Sequence, residues 1–183
     1  SINTAKWTIA DATGWSVTNG ALRGTNTAGQ LVSRNTFGPG ALLESQVRAT
    51  VLPGNGYMLG GFWASTNDAF GHLWHTGTDH YRNDTNWISM GTTPALGTYR
   101  SMIAASSATQ AVLVLESVSD GLPTKNATVA NAVQNEPIAL GRRYDGLYTG
   151  QAYDGYWDHL FVRKYAAAEP AISAAAMVVP SDR

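Results

Sequence analysis

Residues 70–87 hold the densest set of side chains able to do chemistry. His72, His75 and His80, three of the four histidines, lie there with Trp74, Tyr81, Trp87, Asp79, Asn83, Asp84 and Asn86. Flat apolar rings interleaved with amides, carboxylates and imidazoles suit a ligand that has C–H faces and many hydroxyls, as sugars do. Trp63, on a glycine-rich stretch just upstream, extends the set. The expected ligand contacts are Trp63, Trp74, His75, Asp79, His80, Tyr81 and Trp87, the rings for stacking and Asp79 with the histidines for hydroxyls. The competing reading makes Trp74 and Trp87 core residues, because large aromatics dominate cores.

Other chemistry is weaker in the same segment. Calcium takes about six to eight oxygens in flexible geometry. Asp79, Asn83 and Asp84, with Asn86, form an oxygen-rich loop expected to offer them, and Asp145, Asp154 and Asp158 lie around a second, glycine-rich turn. The spacing is not that of a helix-loop-helix calcium site, and Asp and Asn are also ordinary turn residues. Zinc fits poorly, because His72 and His75 are three apart and point to opposite faces of a strand. Glycoside hydrolysis needs two carboxyls about 5–10 Å apart, yet Glu44, Glu116 and Glu136 each stand alone. A lyase would use His, Tyr and a neutralising Arg or Asn. His80, Tyr81, Arg82 and Asn83 have those types, but four consecutive residues of a strand cannot all face one cleft. No Gly-x-Ser-x-Gly turn is present, so the reading favours binding without catalysis.

The elements that must position these groups are strands. The 183 residues include 19 Gly and 18 aromatics but only four Glu, and Asn19-Gly20, Gly38-Pro39-Gly40 and Asp120-Gly121 punctuate the chain at short intervals. Along 41–52, Leu43, Ser45, Val47, Ala49 and Val51 take one face and Glu44, Gln46, Arg48 and Thr50 the other, the pattern of a half-buried strand. Residues 57–64 alternate small with large, and glycines there allow a backbone or a ligand to come close. Residues 99–105 and 111–117 read as a hairpin, 137–142 as a short strand. In 156–165, Trp157, His159, Phe161, Arg163 and Tyr165 alternate with Tyr156, Asp158, Leu160, Val162 and Lys164. About ten such strands and no helix before residue 165 predict two packed antiparallel sheets.

The remaining features narrow the class. The length suits one domain, read as 1–165, with an Ala- and Pro-rich linker or docking tail at 166–183. Twelve basic and thirteen acidic residues leave a net charge of −1, which argues against nucleic acid as partner. With no cysteine, disulfides and thiolate chemistry are excluded. No apolar run reaches the roughly 20 residues that span a bilayer, so membrane insertion is not expected. Tyr and Arg around 142–157 are residue types favoured at interfaces, which raises self-association.

Lys6-Trp7, Val17 with Asn19-Gly20 and Leu22, Leu43-Glu44 with Val47-Arg48, and Gly60-Gly61-Phe62 occur in an order shared with a known prokaryotic domain. The stretch from Trp157-Asp158 through Val162-Arg163-Lys164-Tyr165 to Glu169-Pro170 is the most specific part. Together they resemble the laminin-G or concanavalin-like sandwich of a prokaryotic surface-protein family whose function is unknown. The resemblance implies an all-β, jelly-roll-like antiparallel sandwich at the cell surface or outside the cell, with glycan or a surface polymer as partner. It assigns no catalytic residue. The expected function is a non-catalytic carbohydrate-binding or adhesion module. A structural subunit of a surface filament, sheath or virion is the alternative, and a polysaccharide lyase or hydrolase the third reading.

Overall fold

Alternation of inward and outward side chains organises the molecule. The structure, a computed structural model, describes residues 1–9, 12–26, 29–54, 58–65, 67–91, 96–118, 124–142 and 152–167. The strands are β1 (Trp7–Ile9), β2 (Trp15–Thr18), β3 (Ala21–Asn26), β4 (Leu31–Phe37), β5 (Ala41–Val51), β6 (Met58–Ser65) and β7 (Asp68–His75). They continue as β8 (Thr78–Asn83), β9 (Asn86–Gly91), β10 (Thr98–Ala105), β11 (Ala111–Ser117), β12 (Lys125–Val129), β13 (Glu136–Arg142) and β14 (Tyr153–Lys164). One 3₁₀ turn, Ala12–Gly14, is the only helical element among the described residues. The strand total exceeds the ten expected because short edge strands such as β1 and β2 carry too few residues to show a period.

Two antiparallel sheets of seven strands pack face to face. Sheet A runs β1-β4-β13-β6-β7-β8-β9, and sheet B runs β12-β11-β10-β5-β14-β3-β2. Leu31, Phe62, Phe70, Trp74, Ile138 and Leu140 of sheet A meet Leu43, Val47, Ile103, Leu113, Leu115 and Trp157 of sheet B in one core. Each such side chain contributes roughly 1.5–3 kcal/mol by leaving water. Most of the β5 pattern is the one expected: Leu43, Ser45, Val47 and Ala49 are buried, while Arg48 and Thr50 face solvent. Val51, expected on the buried face, is exposed instead, because the register of β5 against β14 shifts between Ala49 and Val51. The hairpin of β10 and β11 also forms, in register from Tyr99↔Ser117 to Ala105↔Ala111.

Two glycine positions decide local geometry. Asn19 and Gly20 both have positive φ, 51° and 84°, giving the two-residue turn that joins β2 to β3 with the twist a hairpin needs. Gly61 and Gly71 pair across β6 and β7, where a Cβ on Gly61 would lie 2.5 Å from the Gly71 Cα. The close neighbour that these glycines admit is another backbone.

Strand β14 departs from the expected alternation. Its pairing with β5 shifts between Asp158↔Gln46 and Phe161↔Glu44, where β14 spends one residue more than its partner. His159 takes φ 47° in this bulge, and its N–H donates to Asp158 Oδ1 at 2.7 Å. Tyr156 and Asp158 face outward before the bulge, and Phe161 and Arg163 do so after it. Leu160 and Val162 turn to the core with Trp157. An uninterrupted period of two does not survive a bulge, which re-aims every later side chain.

The sandwich continues to Lys164. Residues 168–183, most of the expected tail, and 143–151, part of the aromatic stretch, lie outside the described residues.

Candidate functional site

The seven expected contact residues fall on two sides of sheet A. Trp74, Asp79 and Tyr81 point between the sheets. Trp74 is 3% exposed and stands edge-on to Tyr99 of the opposite sheet, and Tyr81 stands edge-on to Phe70. Trp63, His75, His80 and Trp87 lie on the outer face. There Trp63 is only 7% exposed, packing with Leu73, Ala69 and Trp87, while the Arg82 guanidinium stacks 4.2 Å from the Trp87 ring. His75 and His80 stack on each other at 5.4 Å. Burial, then the charge of His75, lowers the His80 pKa against the opposing pull of Asp79. Adjacent positions on a strand face opposite ways, so a sequence cluster need not be a spatial one. The rings of the outer face cover the sheet and each other rather than forming an open platform.

Asp79 is fully buried and joins the two sheets. His72 Nε2 lies 2.6 Å from its Oδ1, and Lys125 Nζ on β12 donates to its Oδ2 at 2.9 Å. Burial alone would raise the Asp79 pKa. The charge of His72 and the hydrogen bonds from His72 and Lys125 overcome this and hold it below the usual carboxylate range. The three expected calcium ligands do not converge as a set. Asp79 is committed to this network, while Asn83 and Asp84 accept hydrogen bonds from Asn131 Nδ2. Among the described residues no group of three or more His, Asp or Glu side chains is arranged to hold a metal ion. Perturbed ionisation does not by itself mark a site in this protein. Glu136, at one end of sheet A, is pushed up to about 8 by burial and by Asp68 and Asp84, and is itself buried at 3% exposure.

The open site lies on the outer face of sheet B. A groove of about 250 Å³ is lined by Thr18, Asn19, Ala21, Gln46, Arg48, Thr98, Tyr156 and Asp158. Register explains the assembly: Thr98 and Tyr156 both pair with Arg48, Arg23 pairs with Tyr156, and Gln46 pairs with Asp158. The β2–β3 turn closes one end. Arg48 and Arg23 flank the Tyr156 ring, 4.3 and 5.2 Å from its centroid. Arg23 is bound by Asp154 through two hydrogen bonds of 2.9 and 3.0 Å. The Arg23 bonds hold the Asp154 carboxyl below its ordinary range against the effect of burial, with help from Thr50. Arg48 differs, for among the described residues no carboxylate forms a salt bridge with it. Next to the groove, Glu44 accepts from Arg100 at 2.7 Å and from Arg163 at 3.0 Å. Burial would raise the Glu44 pKa, and these two guanidiniums bring it below the usual range.

The groove therefore offers the Arg48 guanidinium as donor, one half-exposed carboxylate acceptor at Asp158, amides at Asn19 and Gln46, and hydroxyls at Thr18, Thr98 and Tyr156. None of these residues belongs to the ligand contacts expected from the sequence, although Asp158 is among the oxygen-rich residues considered for calcium. Their one visible signal was the wet face of 41–52, where Gln46 and Arg48 alternate with buried residues.

No family model matches the chain, and no curated protein matches it. Solved structures do. A structure from work on endo-acting O-glycanases by which human gut microbiota initiate mucin breakdown has a TM-score of 0.66 at 12% identity, over 90% of this chain and 94% of that one. The carbohydrate-binding module CBM66 from Bacillus subtilis gives 0.57 at 8% identity, over 87% and 96%. Alginate lyase A1-II', of polysaccharide lyase family 7, gives 0.55 at 14% identity, over 84% of each chain. The chain has the jelly-roll antiparallel sandwich of these proteins, the concanavalin-like architecture that the resemblance implied.

Proposed function

We propose that this domain binds carbohydrate without catalysis, through the groove on the outer face of sheet B. The observation that carries the reading is the groove itself, an open trough of about 250 Å³ where donors and acceptors of two adjacent strands, Gln46 and Arg48 of β5 and Tyr156 and Asp158 of β14, stand together. Hydroxyl-rich ligands need both kinds of partner, and sites for them are concave with a few placed polar groups. The structural neighbours support this reading, since they include a carbohydrate-binding module and enzymes that act on mucin glycans and alginate. Binding is favoured over hydrolysis because Asp158 is the only carboxyl among the described residues that line the groove, whereas hydrolysis uses two. A glycan ligand of this kind fits a protein working outside the cell or at its surface, as the resemblance to surface proteins implies.

The test is affinity electrophoresis against alginate, mucin and a neutral β-glucan, followed by titration of the best binder. Arg48→Ala is expected to weaken binding at least about tenfold, the loss of one charge-assisted contact, while leaving the thermal midpoint in place. Full binding by Arg48→Ala would move the site off this face.

A further inference from the structure

The groove has a floor and one raised side, and a further outward row lies next to them. Its floor is a row of short or slender side chains, Gln46, Asp158, Ala21 and Thr18, with Asp158 beside Gln46 and Thr18 beside Ala21. Arg48 and Tyr156 form one side. Beyond the floor, the next outward row along the strands is the one where Phe161 of β14 pairs with Glu44 of β5, outside the groove's lining but on the same face of the sheet. Phe161 is 44% exposed. The pairing of β14 with β3 reaches only to Trp157↔Leu22, so that partner strand does not extend beside Phe161.

The bulge gives Phe161 this position. Had the alternation set by Tyr156 and Asp158 continued, Leu160 and Val162 would face outward and Phe161 would lie in the core. Instead His159 occupies a left-handed conformation that a non-glycine residue adopts at a cost, and the phenyl ring emerges on the groove's face. The core gains Leu160 and Val162 by this shift, which any polar residue at 161 would equally permit. Core packing therefore accounts for the bulge but not for an exposed aromatic ring beside the polar groups of the groove. Residues placed by bulges near binding sites commonly have their side chains re-aimed for that purpose.

We infer that Phe161 is the apolar binding surface of this groove, and that the ligand is an internal stretch of polysaccharide lying across the strands rather than one terminal sugar. This rests on the carbohydrate reading above. From Thr98 on β10 to Thr18 on β2 the groove crosses β5, β14 and β3. At about 4.8 Å per strand spacing that is roughly 19 Å, longer than a single pyranose. A sugar ring packs its C–H face on Phe161, while Arg48, Gln46 and Asp158 take the polar edges of the chain.

The experiment is calorimetric titration of the full chain with alginate oligosaccharides of about two and about six sugar residues, lengths chosen below and above the roughly 19 Å span. The wild type is expected to bind the longer one about tenfold more tightly or better. Phe161→Ala is expected to lower affinity for the longer oligosaccharide about five- to tenfold, as loss of an aromatic contact does, with an unchanged thermal midpoint. Phe161→Trp is expected to keep wild-type affinity. Equal binding of the longer oligosaccharide by wild type and Phe161→Ala overturns the role of Phe161. Equal wild-type affinity for both lengths overturns the extended ligand. In either case, loss of binding in Arg48→Ala leaves the groove standing, whereas no wild-type binding of either length overturns the groove reading and this inference together.

Discussion

The outer faces of the two sheets use their side chains in opposite ways. On sheet A, Trp63, Trp87 and Arg82 close over Leu73, and the aromatic rings serve as covering. On sheet B, Glu44, Gln46, Arg48, Tyr156 and Asp158 stand over a complete inter-sheet core and leave a trough between them. The difference teaches that aromatic density alone does not locate a ligand surface. What matters is whether the rings are already in contact with their own neighbours. On sheet A they are, so their energy goes to stability. On sheet B the polar groups are still partly accessible, so they remain available to something else.

Substitutions can break or sharpen this contrast. The largest effect is expected for Trp63→Ala, which should cost about 3–5 kcal/mol in urea unfolding, as loss of a buried aromatic does, with ligand affinity unchanged in the folded fraction. A variant that kept its stability and lost binding would reverse the roles of the two faces.

Asp79→Asn comes next, and it has a pH signature. The folded pKa of Asp79 lies below its ordinary value. Its contribution is therefore present at neutral pH and disappears as pH falls through that lowered value. The wild type should lose stability on acidification through this limb, and Asp79→Asn should show a flatter one. At neutral pH the variant should be less stable by about 1.5–3 kcal/mol, because the charge-assisted hydrogen bonds of Asp79 with His72 and Lys125 are weakened. Unfolding curves across the acid range give both numbers, and parallel acid limbs would refute the assignment.

The smallest change is expected for Glu44→Gln. The Glu44 partners Arg100 and Arg163 remain about one-third exposed at 38% and 30%, and solvent-exposed pairs contribute up to about 1 kcal/mol. A loss of similar size to that of Asp79→Asn would show that the outer ladder of sheet B is as important to folding as the buried network.

Much of the fold was legible because it follows from local alternation. Leu43, Val47 and Ala49 against Glu44, Gln46 and Arg48 need only a period of two, and the β10–β11 hairpin only a turn between two apolar runs. The reading of 156–165 found the strand but carried its phase through His159, since nothing about a histidine marks a left-handed backbone. The candidate site was hardly legible at all. Trp74 and Asp79 drew attention by their closeness in sequence to His75 and His80, yet alternation sends them to the other side of the sheet. Thr18, Gln46, Thr98 and Tyr156 meet only through the order β10-β5-β14-β3-β2, which joins distant parts of the chain. A spatial neighbourhood built by non-local pairing leaves no compact motif to read.

That order also bears on how the molecule is made. The strand between β5 and β3, inside sheet B, is β14, so β5 has only β10 and β3 only β2 as partner until residue 164 has been synthesised. During translation β3 and β5 must wait with apolar surface uncovered, and long-range pairing of this kind is slow and prone to aggregation. The emerging polypeptide thus depends on its latest strand for closure, and truncation before β14 removes the keystone of that layer rather than an ornament at its edge.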